Sequence, residues 1–136
     1  MMKRIIPAPT EDTLPFWQAA ARGVLMLPRC TTCATVLYPP RPRCPICVDA
    51  PLEWIDVAPR ASLLSWSEVS IDGPGGLEAP FTVARARLDG AGDAVMVSNL
   101  VGCAVPEIGL PLKITFVVLE GSDFAIPQFT VREYSA

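Results

Sequence analysis

The stretch CTTCATVLYPPRPRCPIC, residues 30–47, contains four of the chain's five cysteines in the pattern C-x2-C-x10-C-x2-C. Two thiolates three positions apart on a tight turn can point at one ion. Two such pairs supply the tetrahedral four-sulfur set that zinc prefers. The pattern therefore predicts one metal ion per chain. We expect the ion to be structural, because a closed shell of thiolates leaves no position open for a substrate. The predicted ligands are Cys30, Cys33, Cys44 and Cys47.

Two other interpretations of this stretch stay open. Iron also accepts tetrahedral four-sulfur sites, and zinc is favoured over it. Two disulfides are disfavoured in a reducing compartment. The fifth cysteine, Cys103, follows Gly102 near the end of a predicted strand. We interpret it as a small core hydrophobe rather than as a reactive thiol.

Composition narrows the range of functions. The chain has 136 residues, of which 51% are hydrophobic and 18% charged, so it has enough apolar material for a folded core. Its net charge of −3 argues against a nucleic-acid partner. It has no histidine, which excludes a histidine base and an imidazole metal ligand. The N-terminus lacks the apolar segment of a signal peptide, and no stretch is long enough to span a membrane. The sequence thus predicts a cytoplasmic protein.

Three regions are predicted along the chain. Residues 1–23 form an extended arm and a short helix over 14–22, with Pro15 in its first turn and Gly23 after its end. Helical spacing places Leu14, Trp17 and Ala21 on the apolar face of this helix. Residues 24–58 form the metal ribbon, with short strands at 24–27, 36–38 and 52–57.

The third region, residues 59–136, is predicted to be a barrel. Five β-rich segments follow one another at short spacing, separated by Gly- and Asp-rich turns. Five strands suit an OB-type barrel, in which closure removes exposed sheet edges. We expect the ribbon and the barrel to have separate hydrophobic sets. The predicted strands are 61–71, 81–88, 94–101, 112–119 and 124–133. In the fourth of these, alternation places Leu112, Ile114, Phe116 and Val118 on one face.

The order of these motifs resembles the DUF35 family of small proteins. The resemblance covers about residues 13–130, and it implies an N-terminal helix, a rubredoxin-like zinc ribbon and a C-terminal OB-fold. The residues that carry it are Phe16-Trp17, Leu27-Pro28-Arg29-Cys30, Tyr38-Pro39-Pro40-Arg41-Pro42, Cys44-Pro45-Ile46-Cys47, Leu52-Glu53-Trp54, Ala79-Pro80-Phe81 and Ser98-Asn99-Leu100-Val101-Gly102.

The resemblance also implies a function. Members of the family are thought to bind acyl-CoA and to associate with thiolase-superfamily proteins, including thiolases and lipid-transfer-protein-like aldolases. In these complexes the partner carries the catalytic residues. The chain is therefore expected to be an auxiliary, non-catalytic subunit of a hetero-oligomer. It would help to form the substrate channel.

Four residues are candidates for binding acyl-CoA. Arg41, Arg85 and Arg87 have side chains suited to phosphate oxygens. Trp66 is a candidate for lining the acyl or pantetheine slot. For Arg85 and Arg87 an ordinary exposed strand face is the favoured alternative. The exposed aromatic anchors of a protein interface are expected among Trp17, Tyr38 and Trp66.

Two other classes of function are weighed against this one. An OB barrel with a zinc ribbon is also typical of single-stranded nucleic-acid binders, but those use basic grooves with stacking aromatics. An independent enzyme would need a nucleophile–base pair, and none is recognisable in the sequence.

Overall fold

The computed structural model describes residues 7–132. The first part of the predicted arm, residues 1–6, and the end of the last predicted strand, Glu133, lie outside the described residues. The elements are α1 (Leu14–Ala20), β1 (Met26–Cys30), β2 (Leu52–Asp56), β3 (Arg60–Val69), β4 (Phe81–Leu88), β5 (Val95–Leu100), β6 (Pro111–Val118) and β7 (Ala125–Val131), with a 3-10 turn at Pro74–Gly76.

Strands β3 to β7 form a closed five-stranded barrel in the order β3-β4-β5-β7-β6. The pairs are antiparallel, except that β5 meets β7 in parallel at Leu100 and Phe129. Side chains alternate between the two faces, as a strand requires. On β4, for example, Ala84 and Ala86 are buried while Arg85 and Arg87 are exposed. The predicted OB-type barrel is confirmed.

The predicted alternation of β6 holds only for its first half. Leu112 and Ile114 are buried, and Phe116 packs partly against the core. Val118, predicted to share their face, is 43% exposed at the end of the strand. It pairs with Ala125, the first residue of β7, where the ladder leaves the barrel core.

Helix α1 forms as predicted, but with a different buried face. Its buried residues are Phe16, Ala19 and Ala20, which are three and four positions apart. Leu14 is 41% exposed and Ala21 is exposed, so the predicted face of Leu14, Trp17 and Ala21 is wrong. The reason is that a helix this short carries two overlapping apolar stripes, and only tertiary packing decides which one is buried. Gly23 has a φ of +74°, as expected of a glycine that follows a helix end.

The ribbon is built on a two-stranded antiparallel sheet, in which Cys30 pairs with Leu52 and Met26 with Asp56. The strand predicted at 36–38 is reduced to a single bridge between Arg29 and Val36. Two prolines follow Tyr38 directly, and a proline has no N–H to continue a ladder.

Ribbon, helix and barrel share one hydrophobic core, so the expectation of separate hydrophobic sets is wrong. Leu25 and Leu27, beside and within β1, belong to the same buried cluster as Leu63 and Phe129 of the barrel. Helix α1 contributes Phe16 to this cluster. The ribbon therefore has no core of its own and relies on the barrel to cover its apolar residues.

An aromatic chain links the three regions. The ring of Phe16 lies 5.0 Å from Trp17 and 6.1 Å from Tyr38, and Trp17 lies 6.3 Å from Phe124. Burial raises the pKa of Tyr38. Trp17 and Tyr38 thus have ring contacts within the chain and are only partly exposed. No helix among the described residues is long and apolar enough to cross a membrane.

Candidate functional site

The four ribbon cysteines lie on two turns of the same kind. In the first turn, the N–H of Ala34 donates to the carbonyl of Cys30 at 2.9 Å. In the second, the N–H of Val48 donates to the carbonyl of Cys44, also at 2.9 Å. Ala34 and Val48 have φ values of 61° and 60°, so both turns close through a left-handed residue. This backbone shape brings the two cysteines of each turn to the same side.

The sulfur positions fit a tetrahedral metal. The four Sγ atoms lie within 4.8 Å of one another, and those of Cys33 and Cys44 are 3.5 Å apart. Zinc–sulfur bonds of about 2.3 Å would separate the sulfurs of a tetrahedron by about 3.8 Å. Cys30 and Cys44 are buried, whereas Cys33 is exposed. The predicted ligand set is thus assembled in one place, with its exposed edge at Cys33.

Thr35 supports the exposed ligand. Its Oγ1 lies 3.1 Å from Sγ of Cys33. Hydrogen bonding by Thr35 lowers the pKa of Cys33 to about 6, whereas hydrogen bonding with Cys33 raises the pKa of Cys47 to about 12. Thr35 thus favours the charged form of Cys33, which is the form in which a cysteine binds a metal. Thr35 also accepts the backbone N–H of Cys30 through its carbonyl at 2.9 Å.

Hydrogen bonds around the first turn fix the ribbon to its own sheet. The N–H and the hydroxyl of Thr31 both donate to the carbonyl of Pro51, at 3.0 and 2.8 Å. Arg29 and Glu53 form an ion pair across β1 and β2. The sequence pattern identified the four cysteines but not Thr31, Thr35, Ala34 or Val48. A threonine two positions after a ligand cysteine was the one visible signal.

Among the residues suggested for acyl-CoA, Arg41 lies beside the ribbon. It is exposed and borders a hollow of about 340 Å³ with Pro28 and Trp54. Glu11 and Asp12 line the same hollow, so carboxylates share it with the guanidinium. This hollow is separate from the barrel residues proposed for the same ligand.

The other three candidates lie on β3 and β4. Arg85 opposes Ser65 and Trp66 opposes Ala84. A register shift between Leu63 and Ser65 interrupts the ladder just before Trp66, and Trp66 and Arg85 line the same open hollow of about 250 Å³. Trp66 is 40% exposed. The structure thus brings Arg85 together with Trp66 in one hollow and with Arg87 on one strand face, and it leaves Arg41 in a different hollow.

Two protein-family models match this chain, one over the ribbon and one over the barrel. Residues 17–53 match the family model described as the ChsH2 rubredoxin-like zinc ribbon domain, and residues 54–117 match that of the ChsH2 C-terminal OB-fold domain. A solved structure described as the Ltp2-ChsH2(DUF35) aldolase is 27% identical, with a TM-score of 0.81. The match covers 93% of this chain and 98% of that chain. The chain belongs to the DUF35 family. The four-cysteine site is accordingly the zinc-ribbon site of a DUF35 protein.

Two further relatives extend the comparison. A DUF35 protein of unknown function from Sulfolobus solfataricus has the same fold, with a TM-score of 0.62 at 17% identity over 88% of this chain and 84% of that one. A protein of Thermomonospora curvata called a probable enoyl-CoA hydratase alpha subunit is 28% identical over 125 residues. This alignment covers 90% of the DUF35 chain but spans only 38% of the relative's length.

Proposed function

We propose that this chain is a non-catalytic subunit that docks on a thiolase-superfamily enzyme, binds acyl-CoA thioesters and completes the enzyme's substrate channel. The observation that carries the proposal is the likeness to the Ltp2-ChsH2(DUF35) aldolase structure, which extends over 98% of that chain. The Thermomonospora relative is also described as a subunit, and its described activity is on a CoA thioester. The two descriptions share a multi-subunit enzyme of CoA chemistry.

The distribution of reactive groups supports a non-catalytic role. The chain has no histidine, and four of its five cysteines form the ribbon site. The fifth, Cys103, packs partly against the core. A four-thiolate metal has no open coordination position, so it does not act on a substrate. The groups that cleave or form the thioester substrate's bonds belong to the partner in this proposal.

The surface of the barrel supports docking. The connection between β5 and β6 carries three exposed hydrophobic side chains within eight residues: Val101 at 37%, Val105 at 73% and Ile108 at 78% exposure. Isolated exposed hydrophobics are normal, but a run of them in one loop is typical of an interaction site. This connection is the part of the surface that we expect the partner to cover.

The metal is proposed to be one zinc ion held by Cys30, Cys33, Cys44 and Cys47. Sulfur spacing and the match to a zinc-ribbon family model support zinc, while tetrahedral geometry alone also fits iron. Elemental analysis of protein purified under reducing conditions should give about one zinc per chain. Iron in place of zinc, or neither metal, would contradict this part of the proposal.

Docking is tested by co-expression with a thiolase-superfamily protein encoded beside this chain's own gene, followed by size-exclusion chromatography. We expect one peak that contains both proteins, with a buried surface above about 1,000 Å². The Val105→Asp/Ile108→Asp variant should split this peak, because it puts charge into an apolar contact. Ile46→Asp, at a site 70% exposed on the ribbon, is the matched control. Two separate peaks for the wild-type pair would refute the proposal.

Acyl-CoA binding is tested separately by equilibrium dialysis of acetyl-CoA and a long-chain acyl-CoA against the purified complex. The complex should retain more thioester than the partner retains alone. Equal retention would leave the docking proposal standing and remove acyl-CoA binding from this chain's role.

A further inference from the structure

The barrel places five cationic side chains on one stretch of its outer surface. Arg85 and Arg87 are exposed on β4, and Arg87 opposes Ser62 of β3. Arg60 lies two positions before Ser62, on the same face, and directly opposes Lys113 of β6. Arg132 follows β7 and donates its N–H to the carbonyl of Pro111. We call this surface the basic face: Arg60, Arg85, Arg87, Lys113 and Arg132.

The charge of this face is unbalanced. Five of the 11 Lys and Arg residues of a chain with net charge −3 lie on it. Among residues 7–132, the one carboxylate that pairs with a cation of the basic face is that of Asp89, which lies 4.0 Å from Arg132. The same carboxylate accepts a hydrogen bond from the hydroxyl of Ser62 at 3.1 Å. Arg60, Arg85, Arg87 and Lys113 have no recorded ion pair with a described residue.

This arrangement costs stability in the isolated chain. Like charges directly opposite on neighbouring strands are destabilising, and Arg60 and Lys113 are such a pair. Each position alternates with buried apolar residues, so a neutral polar side chain would serve the barrel equally well. An anionic ligand that covers the face would offset the repulsion.

The shape and the neighbours of the basic face favour a protein surface as that ligand. From Arg85 to Lys113 the face extends roughly 15 Å, two strands across and four residues along. Sites for small molecules are concave. Of the five cations, Arg85 alone lines the hollow of about 250 Å³ that also contains Trp66 and Val97, and the other four spread away from it along the outside of the barrel. A groove for single-stranded nucleic acid needs aromatic side chains for base stacking. Trp66 lies beside Arg85 at one end of the face, but the positions between the other cations hold no aromatic side chain: they are Ser62, Val95 and Pro111.

We propose that the basic face docks against a carboxylate-rich surface of the partner protein. This inference rests on the proposed function and adds the chemistry of the contact. Exposed charges at the edge of an interface act mainly on the rate of association and on its salt dependence. The apolar loop at 101–108 would then hold the complex together, while the basic face guides the approach and fixes the orientation.

The test measures association of the full chain with the co-expressed thiolase-superfamily partner on a biosensor, at low and high salt. Arg85→Glu/Arg87→Glu should slow association at least about tenfold at low ionic strength, because steering contributes ten- to a thousandfold. Arg87→Glu should lie between this variant and wild type. Arg22→Glu, the same charge change on an exposed arginine after α1, should stay within about twofold of wild type. High salt should close the gap, since screening shortens the reach of charge to a few ångströms.

Three further arms make the result decisive. Arg85→Gln/Arg87→Gln removes the two charges without reversing them and should slow association by a smaller factor. This variant keeps the test valid if the double Glu variant does not fold. Immobilised polyglutamate should retain wild type at low salt but not the double variant. Oligo-thymidylate and CoA are immobilised in the same way, and at equal ionic strength wild type should be retained on them more weakly than on polyglutamate.

Wild-type association rates in both double variants would overturn the proposal. So would a loss of oligo-thymidylate or CoA binding in the variants with no retention on polyglutamate. If wild type fails to bind the partner at all, the proposed function fails. The polyglutamate measurement then tests by itself whether the basic face binds carboxylates. Retention that depends on Arg85 and Arg87 supports this proposal, and absence of retention overturns it.

Discussion

The segment from Val24 to Val57 buries two of its four cysteines and few apolar side chains, among them Leu25, Leu27, Leu37 and Val57. The barrel strands bury a continuous set that includes Leu63, Leu88, Met96, Leu112 and Phe129. The barrel is thus stabilised mainly by removing apolar surface from water. The ribbon has too little apolar surface for that. It depends on its metal site and on the contact of its first strand with the barrel core. The difference shows how a segment of this size stays folded without a core of its own.

The largest expected effect is loss of the metal. Cys44→Ser removes a buried ligand, and zinc bound to small ribbons contributes on the order of 10 kcal/mol to their folding. We expect metal content to fall from about one equivalent to near zero. Amide hydrogen exchange should rise sharply at residues 24–57 and less in β3 to β7.

Cys103→Ser is the matched control, since Cys103 is not among the clustered thiols. It should keep its metal and its exchange pattern. Equal metal loss in both variants, or unchanged exchange in Cys44→Ser, would contradict the distinction between ribbon and barrel.

The shared core gives the next largest effect. Leu27 is fully buried in the common cluster although it belongs to a ribbon strand. Leu27→Ala should lower the free energy of unfolding by about 2–5 kcal/mol, and the chain should still unfold in one transition. Ile46→Ala, at a site 70% exposed, should change it by less than about 0.5 kcal/mol. Two transitions in urea, with only one shifted, would show that ribbon and barrel are independent.

A smaller effect is expected at Thr35, which acts on the metal only through Cys33. Thr35→Val keeps the shape and removes the hydroxyl 3.1 Å from Sγ. Loss of a residue that supports a ligand typically weakens metal affinity about tenfold or more. Competition with a chromophoric chelator measures this. Thr32→Val, in the same turn, should match wild type, and equal affinity in all three proteins would remove Thr35 from the site.

The smallest effect concerns the left-handed residues that close the two turns. Val48 has a φ of 60°, a region that costs a residue with a side chain about 1–2 kcal/mol. Glycine loses about 0.5–1 kcal/mol more backbone entropy on folding. Val48→Gly should therefore leave the ribbon as stable as wild type or raise its unfolding free energy by up to about 1 kcal/mol. Val105→Gly, at an exposed position that is not among those with positive φ, should lower the unfolding free energy. An equal loss of unfolding free energy in Val48→Gly would show that Val48 is not strained.

Several features could be predicted because they depend on residues close in sequence. The cysteine spacing defines the metal ligands, and the Gly- and Asp-rich turns separate the five barrel strands. The buried face of α1 could not be predicted, since Leu14 with Trp17, and Phe16 with Ala19 and Ala20, each form an apolar stripe at helical spacing. The pairing of Thr35 with Cys33 and the left-handed φ of Val48 arise from backbone conformation, which spacing does not encode.

Features that depend on closure of the barrel could not be predicted from the sequence either. Leu27 joins Phe129 in one core only because the ribbon packs against the barrel. Arg60 and Lys113 are far apart along the chain, and they oppose each other because β3 and β6 close the barrel. Arg85 and Arg87 were visible as a pair on one strand, but the basic face that includes them was not.

In the proposed function this chain works only as part of an enzyme whose chemistry lies in a partner. The most direct measurement is acyl-CoA thioester turnover by the thiolase-superfamily partner as purified chain is added. We predict low turnover by the partner alone, none by this chain alone, and a rise that saturates at a fixed ratio of the two. Full activity of the partner without the chain, or turnover by the chain alone, would contradict the account.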